Sequence, residues 1–579
     1  MADTLGFASG QALPRATLGR RGITAVDVIA FVLVAGVLLF TGYPLLTMIV
    51  TAFSGEHGFD LSVWSETFAG RGLAEATRNT VIVLVACVTL SVPIATFFAW
   101  LNERTDAHMG ALSTFLPIVP LLLPPTALAI GWLFLGDPNA GFIAGLTRWA
   151  LAPLGVPRSA ITFGIYSWPG LIFVYLLFLV PHAYIIIAAG FRSLDPSLEE
   201  AARMSGKSRL QCLFGVSIPA IKPAIGSAAL LTAIATVELY SIPAIVATPA
   251  QILVLPTYIQ RLLHGQFPPA TNQAVVLGLL MALAIGAVWL VQRRVAVHSQ
   301  YARIGGMGVR ANRISMGRMR TPARIVMFAY LAATSVLPIL ALLVVSLQRY
   351  WTPIVDWKNL SIAKFVDAVV QPQSRDAIVN STILGVAAGT IAVLIAGTLA
   401  IYAADAGGRR ERWIGLATKL PATMSTLVLA IGMLVAFGGP PFRLGGTLAI
   451  LLICHVISRL PTASIAAESS VAQIGSQLVE ASRVNGSSKA RTFRRILLPL
   501  TAPGLAAGWA LIFAVIVGDL TAAAMLAGPS NTVIGYRIQN IYDFGTYSDL
   551  AALGVVIAVV SGIAVGLVLR FVRPRYSGG

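Results

Sequence analysis

The segment Glu200-Ala201-Ala202-Arg203-Met204-Ser205-Gly206 returns as Glu480-Ala481-Ser482-Arg483-Val484-Asn485-Gly486. Each copy then runs to a proline, in Ile218-Pro219 and in Leu498-Pro499. Glu to Gly is six residues in both copies, Gly to Pro is thirteen in both, and the offset is 280 throughout. The same offset maps Pro181 onto Pro461 and Pro223 onto Pro503. Self-similarity at a fixed distance marks a duplicated unit, here one spanning roughly half the chain. Asp195 can cap a helix, Pro196 suits its first turn, and Glu199 and Glu200 complement its N-terminal dipole. Gly206 and Gly486 can end their helices in the left-handed conformation. Gly475-Ser476 is a weaker start for the second copy. Each repeat therefore predicts a short helix, a glycine turn and a second short helix that ends near the proline.

Outward from these segments the chain is apolar. Of its 579 residues 57% are hydrophobic and 11% charged, against about 25% charged in soluble domains. That composition excludes a soluble enzyme, a disordered regulator and a disulfide scaffold. Stretches of about 20 apolar residues suit spanning helices and are too long for barrel strands. Twelve are predicted: 27–52, 79–102, 111–135, 169–192, 222–247 and 273–292, then 325–347, 379–403, 415–438, 446–469, 502–527 and 549–571. The fold class expected is an all-α membrane protein built as two parallel six-helix repeats, since six spans per half insert both halves the same way up. The apolar outer segment Phe142–Ser167 has room for a short interfacial helix.

The net charge is +18. With the N-terminus inside, the inner segments hold 29 Lys and Arg and the outer segments 11, and Arg459 lies within a span. This excess orients the chain with both termini in the cytoplasm. The organisation expected is an N-terminal tail (1–26), a first repeat (27–292), a basic linker (293–324), a second repeat (325–571) and a C-terminal tail (572–579). The first span is read as a retained helix rather than a cleaved signal. The linker carries eight arginines; beside a membrane such a stretch orients the chain and attracts anionic lipid, and no nucleic-acid partner is expected. Cys87, Cys212 and Cys454 are far apart and read as buried apolar groups. No His pair has metal-ligand spacing, so no metal site is expected.

The doubled pattern E-A-A-x-x-x-G, followed by an apolar-proline step, resembles the cytoplasmic loop of permease subunits in binding-protein-dependent ABC importers. The first copy keeps Glu200, Ala201, Ala202, Gly206 and Pro219, with Val216 and Ile218 where the pattern has Ile and Leu; the second keeps Glu480, Ala481, Gly486, Ile496, Leu498 and Pro499, with Ser482 for the second Ala. The resemblance covers nearly the whole chain outside the N-terminal tail and linker. Two fused halves are similar to the ferric-iron, thiamine and 2-aminoethylphosphonate group, and Leu194–Ala202 is most like the ferric-iron permeases. The resemblance implies the type I importer permease fold and a bacterial inner-membrane location. It also implies two copies of an ABC ATPase subunit and a periplasmic or lipid-anchored substrate-binding protein as partners. Each motif helix would dock on an ATPase, with Glu200 and Glu480 as charged anchors and Arg203 and Arg483 as possible contacts. ATP and Mg would reside on the ATPases. The chain itself offers no cofactor site: Gly206-Lys207-Ser208 lacks the first glycine of a phosphate loop, because position 201 is Ala.

Ionisable residues inside spans are expensive and point to function. Glu238 and Asp519 fall in the fifth and eleventh spans in similar local strings, at an offset of 281. As a symmetric pair they would favour a cation; as packing groups they would be protonated or hydrogen-bonded. His182 and Tyr240 are possible path neighbours. Arg459, placed toward the inner end of the tenth span, either snorkels inward or accepts an anion. An ion-coupled secondary transporter would want clustered carboxylates without the paired loop. A membrane enzyme would need a catalytic motif such as H-E-x-x-H or G-x-S-x-G, and neither occurs.

Overall fold

The computed structural model describes residues 25–55, 58–110, 119–151, 153, 164–300, 314–406, 408–472, 474, 478, 481–482, 484–487 and 489–572. Eight helices of the first half are used below: α1 (Ala25–Ala52), α2 (Leu73–Arg104), α3 (Pro125–Gly136), α4 (Trp168–Ser193), α5 (Pro196–Met204), α6 (Lys222–Glu238), α7 (Leu255–His264) and α8 (Thr271–Gln300). The second half supplies α9 (Gly317–Ser346, with a π turn at Ala332–Val336), α10 (Pro372–Ala406), α11 (Thr426–Phe437), α12 (Leu448–Ala472), α13 (Leu498–Val517), α14 (Ile534–Phe544) and α15 (Tyr547–Val572). The sheet among the described residues is one hairpin, Ser54–Gly55 with Gly58–Phe59.

Among the described residues nine helices are long and apolar enough to cross a membrane, and eleven if two sharply bent pairs are each one span. The twelve predicted segments differ from this at four places, one of them 502–527, where α13 stops at Val517 and helix resumes over Thr521–Leu526. The predicted span 111–135 survives as α3 alone, with residues 111–118 outside the described set. The predicted span 415–438 is broken: Gly408–Thr423 meets α11 at 90°. The predicted span 222–247 ends at Glu238, and Arg209–Ala220 meets α6 at 74°. Hydropathy measures length in an apolar medium and carries no information about such breaks. Helix extends into both ends of the expected linker, α8 running to Gln300 and helix resuming at Gly317, with residues 301–313 outside the described set. A short helix does form in the outer segment, at Phe142–Leu151.

Equivalent contacts recur in both halves. Asn79 donates to the Leu253 carbonyl and Asn380 to the Thr532 carbonyl, each at 2.9 Å. Thr80 Oγ1 accepts from Leu255 N and Ser381 Oγ from Ile534 N, each at 2.8 Å. These pairs tie α2 to α7 and α10 to α14 at an offset of 301 on the first partner, whereas the loop motifs are 280 apart. The difference falls in the segment between α3 and α4, where the first half carries the additional Phe142–Leu151 helix.

The first helix of each half leans on the other half. α1 packs on α11, and α9 packs on α3. Both crossings pass close over a glycine, more tightly at Gly131 than at Gly432. A Cβ on Gly131 would sit 2.5 Å from Pro338 Cβ and 2.6 Å from its Cα. A Cβ on Gly432 would sit 3.1 Å from Pro44 Cβ. Small residues let membrane helices approach backbone to backbone, and dispersion across that contact replaces the hydrophobic drive that lipid cannot supply.

Candidate coupling loops and a polar site between the halves

The first loop folds as its sequence dictates. Asp195 Oδ1 accepts from Ser197 N at 2.9 Å and Pro196 opens α5. That hydrogen bond holds the exposed Asp195 carboxyl below its ordinary range. Lys207 N closes on the Ala202 carbonyl at 3.2 Å across Gly206, whose φ is +80°. Ser208 and Gln211 then form a capping box that starts Arg209–Cys212. In the second loop Ser487 N closes on the Ser482 carbonyl at 3.1 Å across Gly486, φ +74°. The two left-handed glycines are therefore equivalent, and a β-branched residue at either is strained.

Glu200, Ala201 and Arg203 are exposed, and Ala202 is buried. Ala481 is exposed and Ser482 buried, its Oγ 2.8 Å from Thr492 Oγ1. Glu480 and Arg483 lie outside the described residues. Each loop also presents two matched apolar side chains to its surroundings. Leu198 and Leu478 are about half exposed, while Met204 and Val484 are 90% and 87% exposed. The composition of the motif does not single out Met204 and Val484; their position just before the glycine turn does.

Glu199, read from sequence only as an early-turn acid, is buried. Its carboxylate lies 3.6 Å from Arg104 Nη1 and accepts from Ser217 Oγ. Arg104 also escaped the sequence reading. It stands at the last turn of α2 and looked like an ordinary inner-side cation.

The second site lies where the spans break. Helix α6 ends at Glu238, and α11 begins at Thr426 with Ser425 Oγ capping Val428 N. Glu238 Oε1 accepts from Thr426 N at 3.1 Å and from Thr426 Oγ1 at 3.2 Å. A carboxylate of one half thus occupies the positive end of a half-helix of the other. Arg459 Nη2 donates to the same Thr426 Oγ1 at 3.4 Å and lies 3.6 Å from Asp519 Oδ1. Asp519 Oδ2 accepts from Ala522 N at 2.7 Å. Four predicted or adjacent residues therefore form one chain: Glu238, Thr426, Arg459 and Asp519.

Two expectations change. Arg459 is not near the inner end of its helix and does not snorkel; it sits midway along α12 and faces Asp519. Glu238 and Asp519 are not equivalent positions: Glu238 is the last residue of α6, whereas α13 ends at Val517, two residues before Asp519. The contact matching Glu238–Thr426 is neutral, Thr126 Oγ1 donating to the Gly518 carbonyl at 3.0 Å. Both contacts join the C-terminal end of one half's helix, α6 or α13, to the start of the other half's twelve-residue half-helix.

Tyr240 is buried and its hydroxyl donates to Gln539 Oε1 at 3.1 Å, again across the halves. His182 bonds the Phe178 carbonyl of its own helix at 2.8 Å and packs on the Phe178 ring, apart from the chain of contacts just described. His455, one turn before Arg459, went unnoticed in the sequence; it is buried, and its Nδ1 has no hydrogen-bond partner among the described residues. No group of three His, Cys, Asp or Glu is placed to hold a metal ion among the described residues.

Comparison with known proteins places the chain. The family described as "Binding-protein-dependent transport system inner membrane component" matches residues 91–297 and again 392–578. A "Probable ABC transporter permease protein" of Sinorhizobium fredii is 27% identical over 76% of this chain and 77% of its own. An "Fe(3+)-transport system permease protein" of Haemophilus influenzae is 23% identical over 86% of this chain and 90% of its own. A "Putative 2-aminoethylphosphonate transport system permease protein" of Salmonella paratyphi A is 27% identical over 39% of this chain and 84% of its own. Among solved structures, a chain of a bacterial alginate ABC transporter in complex with an alginate-bound periplasmic protein is 18% identical, covering 46% of this chain and 96% of that one, at a TM-score of 0.35. The two matched regions together cover more than half of the sequence, and the chain belongs to the family of binding-protein-dependent transport system inner membrane components, carrying that unit twice.

Proposed function

We propose that this chain is the whole membrane path of an importer for ferric iron, fused from two permease halves. The observation that carries the importer reading is the loop pair: two short helical segments followed by left-handed glycines, at Gly206 and Gly486, in a chain that matches the permease family twice. Each loop docks one copy of a separate ATPase subunit, which holds ATP and Mg. Met204 and Val484, with Leu198 and Leu478, supply apolar contact, and Glu200 and Glu480 supply charge. Closure of the ATPases draws the loops together and rocks the halves between inward-open and outward-open states. A periplasmic or lipid-anchored binding protein delivers the substrate from the other side. The chain sits in the bacterial inner membrane with both termini cytoplasmic, a placement supported by the basic inner segments.

Ferric iron is favoured by architecture: relatives named for iron transport match across 86% and 90% of this chain, whereas the aminophosphonate relative matches 39%. It is favoured also by charge, since the central chain of contacts holds two carboxylates against one guanidinium. A second reading, 2-aminoethylphosphonate, is favoured by Arg459 beside the N-terminus of α11, a combination suited to a phosphonate group. ATP-driven uptake into vesicles containing the assembled complex, with labelled ferric iron and labelled 2-aminoethylphosphonate in parallel, decides between them. Uptake of neither with an active ATPase would reject both substrates.

A further inference from the structure

The two coupling loops share a left-handed glycine turn and differ in how they are fastened. In the first half Arg104, 3% exposed in its side chain, gathers four segments. Its Nη2 donates to the Phe191 and Leu194 carbonyls at 2.7 and 2.6 Å, where α4 ends. Its Nη1 faces Glu199 of α5, and Glu199 accepts from Ser217, which precedes α6. The helix after this loop is interrupted at Ile221, so Arg209–Ala220 and α6 diverge by 74°. The second half has none of these partners by sequence: Asp405, Val479 and Leu497 stand at the matching positions. There the loop is braced on itself by the Ser482–Thr492 hydroxyl pair. The helix that follows is unbroken, Arg494–Val517 forming one span.

We propose that the halves receive the ATPase stroke by different routes. The first loop moves as one body with α2 and α4 through the buried Arg104–Glu199 clamp, and along the backbone its motion reaches α6 across the Ile221 bend. The second loop drives α13 directly through continuous helix and slides past α10. Arg104 and Glu199 are positioning residues in this scheme. A buried ion pair is retained here for rigidity of one particular arrangement, since an apolar replacement of equal volume is often no less stable. The proposal rests on the reading that the loops dock ATPases.

Spin-label distances in the purified complex with its ATPases test it without knowledge of the substrate. The three native cysteines are buried, so labels go to introduced sites. One pair is Ser205→Cys with Phe97→Cys on the exposed face of α2; the other is Asn485→Cys with Leu394→Cys on α10. On adding a non-hydrolysable ATP analogue the first distance should stay within its original width, and the second should shift by several ångströms. Arg104→Gln, and separately Glu199→Gln, should make the first pair shift as well. Equal shifts of both pairs in the otherwise native chain would overturn the proposal, as would a first pair that stays fixed in both clamp variants. ATPase copurification is measured on each sample first. Its absence from the labelled native chain rejects the docking reading itself; its loss only in both clamp variants shows that the pair merely holds the fold, and overturns the proposal alone.

Discussion

Arg459→Met should destabilise the protein, and adding Asp519→Asn should restore most of what is lost. The pair lies 3.6 Å apart with side chains 19% and 7% exposed. At that separation and an effective dielectric constant near 20, the attraction is about 4–5 kcal/mol. Desolvation of both ions takes back much of it, so the intact pair contributes little net stability. Removing one partner is different, because the other charge stays buried; such changes cost about 3–5 kcal/mol. Asp519 keeps its 2.7 Å bond from Ala522 N, which places Arg459→Met near the lower end, about 3 kcal/mol. In the double variant the Asn side-chain oxygen still accepts from Ala522 N and no charge is stranded, so the loss should be about 1 kcal/mol. The assay is unfolding of the four purified proteins of the cycle in one detergent. Asp519→Asn alone strands the Arg459 charge and should likewise cost about 3 kcal/mol, so a coupling of about 5 kcal/mol is expected between the two positions. Additive losses in the double variant would refute the reasoning, since they would mean that the two charges do not meet in the membrane.

Other expectations follow from the same geometry. Gly206→Val with Gly486→Val should abolish transport-coupled ATP hydrolysis while the chain still reaches the membrane, since both glycines hold positive φ; normal coupling would remove the loops from the mechanism. Glu238→Gln should lower uptake of a cationic substrate without changing ATPase binding, because the amide still accepts from Thr426; unchanged or raised uptake favours the anion reading and makes Arg459 the residue to vary next. Gly131→Ala should destabilise through the 2.5 Å approach to Pro338, more than Gly432→Ala, and equal or negligible losses in thermal unfolding would contradict the crossing. Asp195 has a lowered pKa because it caps α5; its contribution is complete above the ordinary carboxylate value near 4 and is lost as pH falls through the depressed one. Protection factors over Ser197–Met204, that is, exchange corrected for its intrinsic pH dependence, should therefore fall on acidification below about pH 4, and Asp195→Asn should flatten that dependence.

The loops were legible in the sequence because their determinants are local. Asp195, Pro196 and Gly206 state a beginning and an end within one helix, and the repeat repeats the end. The spans were legible as hydropathy, and the family followed from the motif. What escaped depends on contacts between distant segments. Nothing in an apolar run announces that α11 starts afresh at Thr426, although Ser425 is a capping residue in its midst and Pro124-Pro125 stands at the matching point of the first half. Glu238 and Asp519 looked symmetric because neighbouring letters agree; the helix ends, not the letters, fix which positions correspond. Arg459 was placed by distance from an estimated span edge, and an error of a few residues moved it toward the inner surface. Arg104 and Glu199 are two charges far apart in sequence, each plausible in water, and only the fold brings them together.

The central claim is that one chain carries two working docking loops. The mass of the intact assembly, purified from membranes with its ATPase, measures this most directly. The account predicts one copy of this chain with two ATPase subunits, falling to at most one when either glycine turn is replaced by valine. An assembly with two copies of this chain per ATPase pair, or a native chain that holds a single ATPase, would contradict it.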